Sequence, residues 1–259
     1  MSYVASPRGR IFYQAFGSAT KPALIFSNSL GTDHTMWQSQ INALQDDFYI
    51  IAYDTRGHGQ SDTPERSYTL DDLGADVLDV LNDVGAERAH FCGISMGGLI
   101  GQWLGIHSPK RLNKLIISNT AAKIGTADGW RQRASLVREQ GLGEIAATAA
   151  TRWFTDEFVL ANPHVVNELS AKLTQGSSMG YAACCEALGV ADLRDDIHKI
   201  SVPTLVVAGS GDPITTVDDA KWLQAHINGA GLAILNASHI ANIEADTEFT
   251  QVVRDFLLV

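Results

Sequence analysis

The chain has 259 residues, 45% hydrophobic and 19% charged, which is a globular composition for one or two domains and not a disordered or fibrous one. A formal net charge of −10 and a pI of about 5.1 argue against sequence-independent binding to nucleic acid, which needs a basic footprint, and against electrostatic anchoring to an anionic membrane.

The N-terminal MSYVASPRGR holds no apolar core of signal-peptide length. Ala23–Phe26 reads as a short buried strand that ends in the turn-rich SNSLGTD, and Tyr49–Tyr53 as a second that ends in DTRGHGQSD. His90–Ile94, Leu115–Ser118, Thr204–Ala208 and Leu232–Leu235 follow. Each run is apolar almost throughout, without alternation, which suits strands buried on both faces in a parallel sheet. Helices are expected between them. Thr69 with Asp72 forms a capping-box-like start, and Leu70, Leu73, Val77 and Val80 recur at helical spacing behind it. Met96–His107 and Phe249–Leu258 read the same way. Strand–helix alternation of this kind predicts a doubly wound, mostly parallel α/β domain.

From about Thr120 to Asp196 there is no strand candidate. This stretch reads as a helical insertion at residues 121–196, a cap over one edge of a core made of residues 1–120 and 197–259; a separate helical domain is the alternative. Insertions of this length in a compact fold usually serve function. The cysteines, Cys92, Cys184 and Cys185, are odd in number with one adjacent pair. That is a poor disulfide framework, and with no apolar stretch long enough for a bilayer it suggests a soluble cytoplasmic protein.

The chemistry is expected at the G-x-S-x-G sequence of Gly93, Ser95 and Gly97. It follows a strand candidate and opens a helix candidate, the context of a nucleophile elbow. A turn that tight leaves no room for side chains two before and two after the serine. A serine hydroxyl needs a base, and the chain order for such an elbow is serine, acid, histidine. Among the histidines after Ser95, only His239 follows a strand (LAIL) and a short turn at the carboxyl edge of the sheet. Asp212 directly follows TLVVAGSG, where it would fix the tautomer of His239 and stabilise the imidazolium. Asn119 occupies the rival acid position, at the end of the preceding strand, and is no carboxylate. Asp218 and Asp219 read as helix-start charge. The oxyanion hole needs two backbone N–H groups: that of Met96, after the nucleophile, and that of Leu30, in the loop after the first buried strand. Asp54 and Arg56 read as structural, and Cys92 as core.

The ordered set Ser95, Asp212 and His239, with a helical cap ahead of the acid, resembles the α/β-hydrolase superfamily essentially end to end. Longer words narrow the likeness: SNSLGTDHTMW (27–37), YDTRGHGQSD (53–62), FCGISMGGLIGQW (91–103), SNTAAKIGT (118–126), TRWFT (151–155), GYAACCEAL (180–188) and ASHIANIE (237–244). They resemble the 3-oxoadipate enol-lactonases of the β-ketoadipate route of aromatic catabolism. The resemblance implies a small anionic lactone as substrate, opened through an acyl-enzyme on Ser95, with no metal or organic cofactor. An H-E-x-x-H metal motif is absent.

The substrate carboxylate needs a partner. Between Ala121 and Trp153 stand five basic residues (Lys123, Arg131, Arg133, Arg138, Arg152) and three acidic ones (Asp128, Glu139, Glu144), a local balance of +2. Arg133 is the first choice. Trp130 and Trp153 are expected to wall the pocket, offering indole N–H as a polar handle, and Ser29 or Ser27 to assist. Other functions stay open: a general carboxylesterase or a carbon–carbon bond hydrolase on the same triad, and a ligand-binding receptor on a hydrolase fold. Enzymes with an aspartate nucleophile are disfavoured by Ser95. The oligomeric state is not legible.

Overall fold

A computed structural model describes residues 2–259. Its strands are β1 (Ser2–Ser6), β2 (Gly9–Phe16), β3 (Ala23–Ser27), β4 (Tyr49–Tyr53), β5 (Ala89–Ile94), β6 (Leu112–Ser118), β7 (Thr204–Gly209) and β8 (Gly231–Leu235). They form one sheet in the order β1-β2-β4-β3-β5-β6-β7-β8. β1–β2 and β2–β4 pair antiparallel, and every pair from β4 to β8 is parallel. The doubly wound, mostly parallel sheet read from the sequence is the observed one.

All of the apolar runs become strands. β3, β5 and β7 are buried along their whole length. β8 departs from expectation: it is the last strand, with a neighbour on one side only, and Ile234 is 48% exposed. The hairpin β1–β2 was not expected, because its strands mix exposed and buried positions instead of running apolar.

The helices of the core are α1 (Gln38–Leu44), α2 (Leu70–Asp83) and α3 (Met96–His107). After β6 come α4 (Ala127–Gln140), α5 (Gly143–Ala147), α6 (Ala150–Trp153), α7 (Asp156–Ala161), α8 (Pro163–Gln175) and α9 (Ser178–Val190). After β7 follow α10 (Val217–His226), α11 (Ala241–Glu244) and α12 (Asp246–Leu258). The capping box at Thr69 is present: Asp72 N–H donates to Thr69 Oγ1 at 3.2 Å, and Thr69 N–H to Asp72 Oδ2 at 3.0 Å. α2 packs on α3, and α1 on α12. Trp37 stacks on Phe26 with centroids 4.6 Å apart and lies 6.0 Å from Phe249, which ties α1's neighbourhood to the sheet and to α12. Among the described residues, no strand lies between β6 and β7; α4 packs on α9 there.

The loop after β4 is structural. Arg56, fully buried, donates through Nε to Asp76 Oδ2 at 2.9 Å. Asp54 accepts N–H bonds from His34 and Gln60, both at 2.8 Å. No helix of the described residues is long and apolar enough to cross a membrane.

Candidate active site

β5 runs into α3 with Ser95 alone between them, at φ 57° and ψ −115°. That left-handed region disfavours a side chain with a Cβ, so the surroundings must hold it. They do so with small residues. A Cβ on Gly93 would come within 2.3 Å of Gly97 O, and one on Gly97 within 2.2 Å of Ser27 O. Ser95 N–H donates to Ser118 O at 2.9 Å, and Thr120 Oγ1 donates to Ser95 O at 2.8 Å.

Three side chains from distant parts of the chain meet at this turn. Ser95 Oγ lies 2.9 Å from His239 Nε2, and His239 Nδ1 lies 2.8 Å from Asp212 Oδ2. All three are buried. The polarity that uses every donor has Ser95 O–H donating to Nε2 and Nδ1–H donating to Asp212. The carboxylate is fully engaged: Oδ1 accepts Ile214 N–H at 2.8 Å and Thr215 N–H at 3.1 Å, while Oδ2 also accepts Thr215 Oγ1 at 2.8 Å and Asn119 Nδ2 at 3.0 Å. Burial pushes the Asp212 carboxyl up. Hydrogen bonding and charge from His239, with the bonds from Asn119 and Ile214, outweigh burial and hold it below the usual carboxylate range.

The other expected residues divide. Leu30 and Ser29 line the chamber in front of Ser95 and His239. Met96 heads α3, where its N–H has no intrahelical acceptor. Ser27 does not line the chamber, and its hydroxyl is 2.7 Å from that of Tyr53, so its expected assistance is withdrawn. Trp130, Arg133 and Trp153 all line the chamber. The indole N–H of Trp130, however, donates to Ile124 O at 2.6 Å, so the polar handle expected of it is already engaged.

The chamber is small, about 40 Å³. It shares Ile124, Trp130, Arg133, Arg152 and Ile214 with a wider vestibule of about 340 Å³. Arg133 lies over the Trp130 ring, 5.2 Å from its centroid. Arg152 donates to Ile145 O at 2.8 Å, and burial together with the charge of Arg133 lowers its pKa. Two guanidinium groups thus face one small chamber, an arrangement that favours an anion. The remaining basic residues of this stretch are engaged elsewhere: Arg131 with Asp128, Arg138 with Glu186 and Lys123 with Asp192.

Sequence reasoning did not single out Arg152, Tyr181 or Thr215 for the site, and it met Asn119 only as a position that holds no carboxylate, not as a donor to Asp212. Arg152 was visible only as part of the local basic surplus. Tyr181 lines the chamber, and burial pushes its phenol up to about 12. Among the described residues, no cluster of three His, Cys, Asp or Glu side chains is arranged to hold a metal ion.

A serine on a strained strand-to-helix turn, a histidine and an aspartate in that chain order, on this sheet, define a class of protein. A family model described as the alpha/beta hydrolase fold matches residues 22–246, and the chain belongs to that family. Within it, the chain is 56% identical to 3-oxoadipate enol-lactonase 2 of Acinetobacter baylyi, over 93% of this chain and 90% of the relative. It is 46% identical to 3-oxoadipate enol-lactonase 1 of the same organism, over 94% and 91%. The crystal structure of the enol-lactonase from Burkholderia xenovorans superposes with a TM-score of 0.97 at 38% identity, covering 100% of both chains. The likeness to the enol-lactonases read from the sequence therefore holds.

Proposed function

We propose that this chain is a serine hydrolase that opens the lactone ring of 3-oxoadipate enol-lactone to 3-oxoadipate, in the β-ketoadipate route of aromatic catabolism. The observation that carries the reading is the bonded series Asp212–His239–Ser95, at 2.8 and 2.9 Å, opening onto a chamber faced by two arginines. Likeness to enol-lactonases over nearly the whole chain supports the choice of substrate.

The steps follow from the geometry. Ser95 Oγ attacks the lactone carbonyl carbon while its proton passes to His239 Nε2, and Asp212 stabilises the imidazolium that forms. The tetrahedral oxyanion is received by the N–H groups of Leu30 and Met96. Collapse breaks the ring C–O bond and expels an enolate, a better leaving group than an alkoxide. The enolate takes the proton from His239 and tautomerises to the ketone. Water, deprotonated by His239, attacks the acyl-enzyme and releases the dicarboxylate with Ser95 restored.

Residues 121–196 act in this reading as the cap. Arg133 binds the substrate's carboxymethyl group, with Trp130, Trp153 and Ser29 shaping the chamber around it. The net charge of −10 fits a protein with no nucleic-acid or membrane partner. Three free, buried cysteines suit a reducing compartment, so the cytoplasm is the proposed location.

The test is turnover of the enol-lactone, followed as loss of its ultraviolet absorbance, beside a panel of aryl esters and ring-fission products. Ser95→Ala is expected to lower kcat by roughly 10⁴–10⁶-fold with the fold intact. Near-normal turnover by a folded Ser95→Ala protein, or efficient use of the panel with none of the lactone, would overturn the reading.

A further inference from the structure

The segment that carries His239 is tied to residues 153–155 on both sides of the histidine. Before it, Ser238 N–H donates to Glu244 Oε2 at 2.7 Å. The other oxygen of Glu244 accepts Thr155 N–H at 3.1 Å, and it also accepts the Thr155 hydroxyl. After it, Ile240 N–H donates to Trp153 O at 2.9 Å. Trp153 walls the chamber together with Ser95 and His239. Thr155 caps α7, accepting Phe158 N–H at 3.3 Å.

We propose that Glu244 is a positioning residue: its carboxylate clips the chamber wall at Trp153–Thr155 to the peptide that precedes His239, so that the placement of the wall sets the placement of the imidazole over Ser95. The inference rests on the reading of Ser95, Asp212 and His239 given above.

The chemistry of the clip requires a carboxylate. Three donors converge on Glu244, and an ionised carboxylate has only acceptors to offer them. A glutamine of the same shape would turn an NH2 group toward donors at one end of the clip. The peptide it holds is also fixed from the core side, where Asn119 Nδ2 donates to Ser238 O at 3.0 Å. Ser238 is therefore held by its N–H toward the wall and by its C=O toward the sheet. His239 follows directly, and its Nε2 must stay within hydrogen-bond reach of Ser95 Oγ, now 2.9 Å away. A wall that moves on filling the chamber carries this peptide with it.

The experiment compares Glu244→Gln, Thr155→Val and the double variant. Three readouts are taken: steady-state kinetics on the enol-lactone, the rate at which a fluorophosphonate labels Ser95, and thermal unfolding. Glu244→Gln is expected to lower kcat roughly 10- to 100-fold with KM changed less than about twofold, because a displaced base slows chemistry and not binding. Labelling should slow in parallel, since it draws on the same base. Thr155→Val keeps the N–H bond to Glu244 but removes the hydroxyl, and with it the cap on Phe158 N–H, which thermal unfolding reads separately; it should cost about threefold to tenfold in kcat. The double variant should be no slower than Glu244→Gln, because both changes break one clip.

A folded Glu244→Gln protein with unchanged kcat and labelling overturns the proposal. Multiplying losses in the double variant, or a silent Thr155→Val, also overturn it, since the link to the wall is then absent. The half-buried Thr155 keeps the test decidable if Glu244→Gln does not fold. Failure of the underlying triad reading shows separately, as activity retained in His239→Ala.

Discussion

Asn119 donates its side-chain amide to Asp212 Oδ2 across 3.0 Å, from the end of the strand beside the one that the acid follows. It does so at φ 44°, a backbone conformation that asparagine tolerates better than most residues. Its Oδ1 accepts the Ser118 hydroxyl at 2.7 Å, which fixes which way the amide faces. The position that could have carried a carboxylate instead supports one.

A pH-dependent stability follows. The folded pKa of Asp212 lies below its unfolded value. Stability from the ionised form is therefore fully present above the unfolded pKa and is lost as pH falls through the folded one. Asn119→Ala removes one donor to the charged form. It should cost about 1.5–3 kcal/mol near neutral pH, with the difference from the parent shrinking as the carboxyl protonates. Urea unfolding followed from neutral pH down through the acid range, until the parent protein's own stability has lost its dependence on this carboxylate, measures this. A difference that stays constant with pH would mean that the amide serves only the Ser238 carbonyl.

The elbow sets a steric prediction. Gly97→Ala places a methyl 2.2 Å from the backbone oxygen of Ser27, the last residue of β3, which cannot turn aside as a side chain can. Ser95 and the loop carrying Leu30 must then separate. A displacement near 1 Å costs on the order of 10²-fold in kcat, even if the protein folds. Gly143→Ala is the control, since a Cβ there meets nothing within 4 Å. Equal activity of the two variants would show that the elbow is more compliant than its contacts imply.

The parts of the site that could be read in the sequence are those with a local grammar. Ser95 announces itself by glycines two residues to either side, between an apolar run and a helix. Asp212 and His239 each follow an apolar run, in the order the elbow demands. The Asn119–Asp212 and Thr155–Glu244 bonds span 93 and 89 residues and carry no such local pattern. Arg133 and Arg138 look alike in sequence, yet one faces the chamber and the other Glu186. Only the packing of α4 on α9 separates them. The β1–β2 hairpin escaped for a different reason: antiparallel strands at the sheet's margin need not be uniformly apolar.

The last prediction concerns specificity. Arg133 and Arg152 face the chamber, Arg133 over the Trp130 ring and Arg152 bonded to a backbone carbonyl, Ile145 O. The charge of Arg133 lowers the pKa of Arg152, and an anion bound between the two would relieve that repulsion. A charge-assisted hydrogen bond contributes about 1.5–3 kcal/mol, so Arg133→Ala should lower kcat/KM for the anionic lactone roughly 10- to 150-fold. A neutral ester of similar size never uses that charge and should lose little. Arg152→Ala should behave in the same way, with an added loss of stability, because Arg152 also holds Ile145 O. Arg131 is 72% exposed in its side chain and pairs with Asp128, so Arg131→Ala should change neither substrate. The measurement is kcat/KM for both substrates in all three variants. Equal losses on lactone and ester would reduce the two chamber arginines to supports of the fold. No loss at either would move the carboxylate site to neutral donors, with the Ser29 hydroxyl and the Trp153 indole, both in the chamber wall, the next to be replaced.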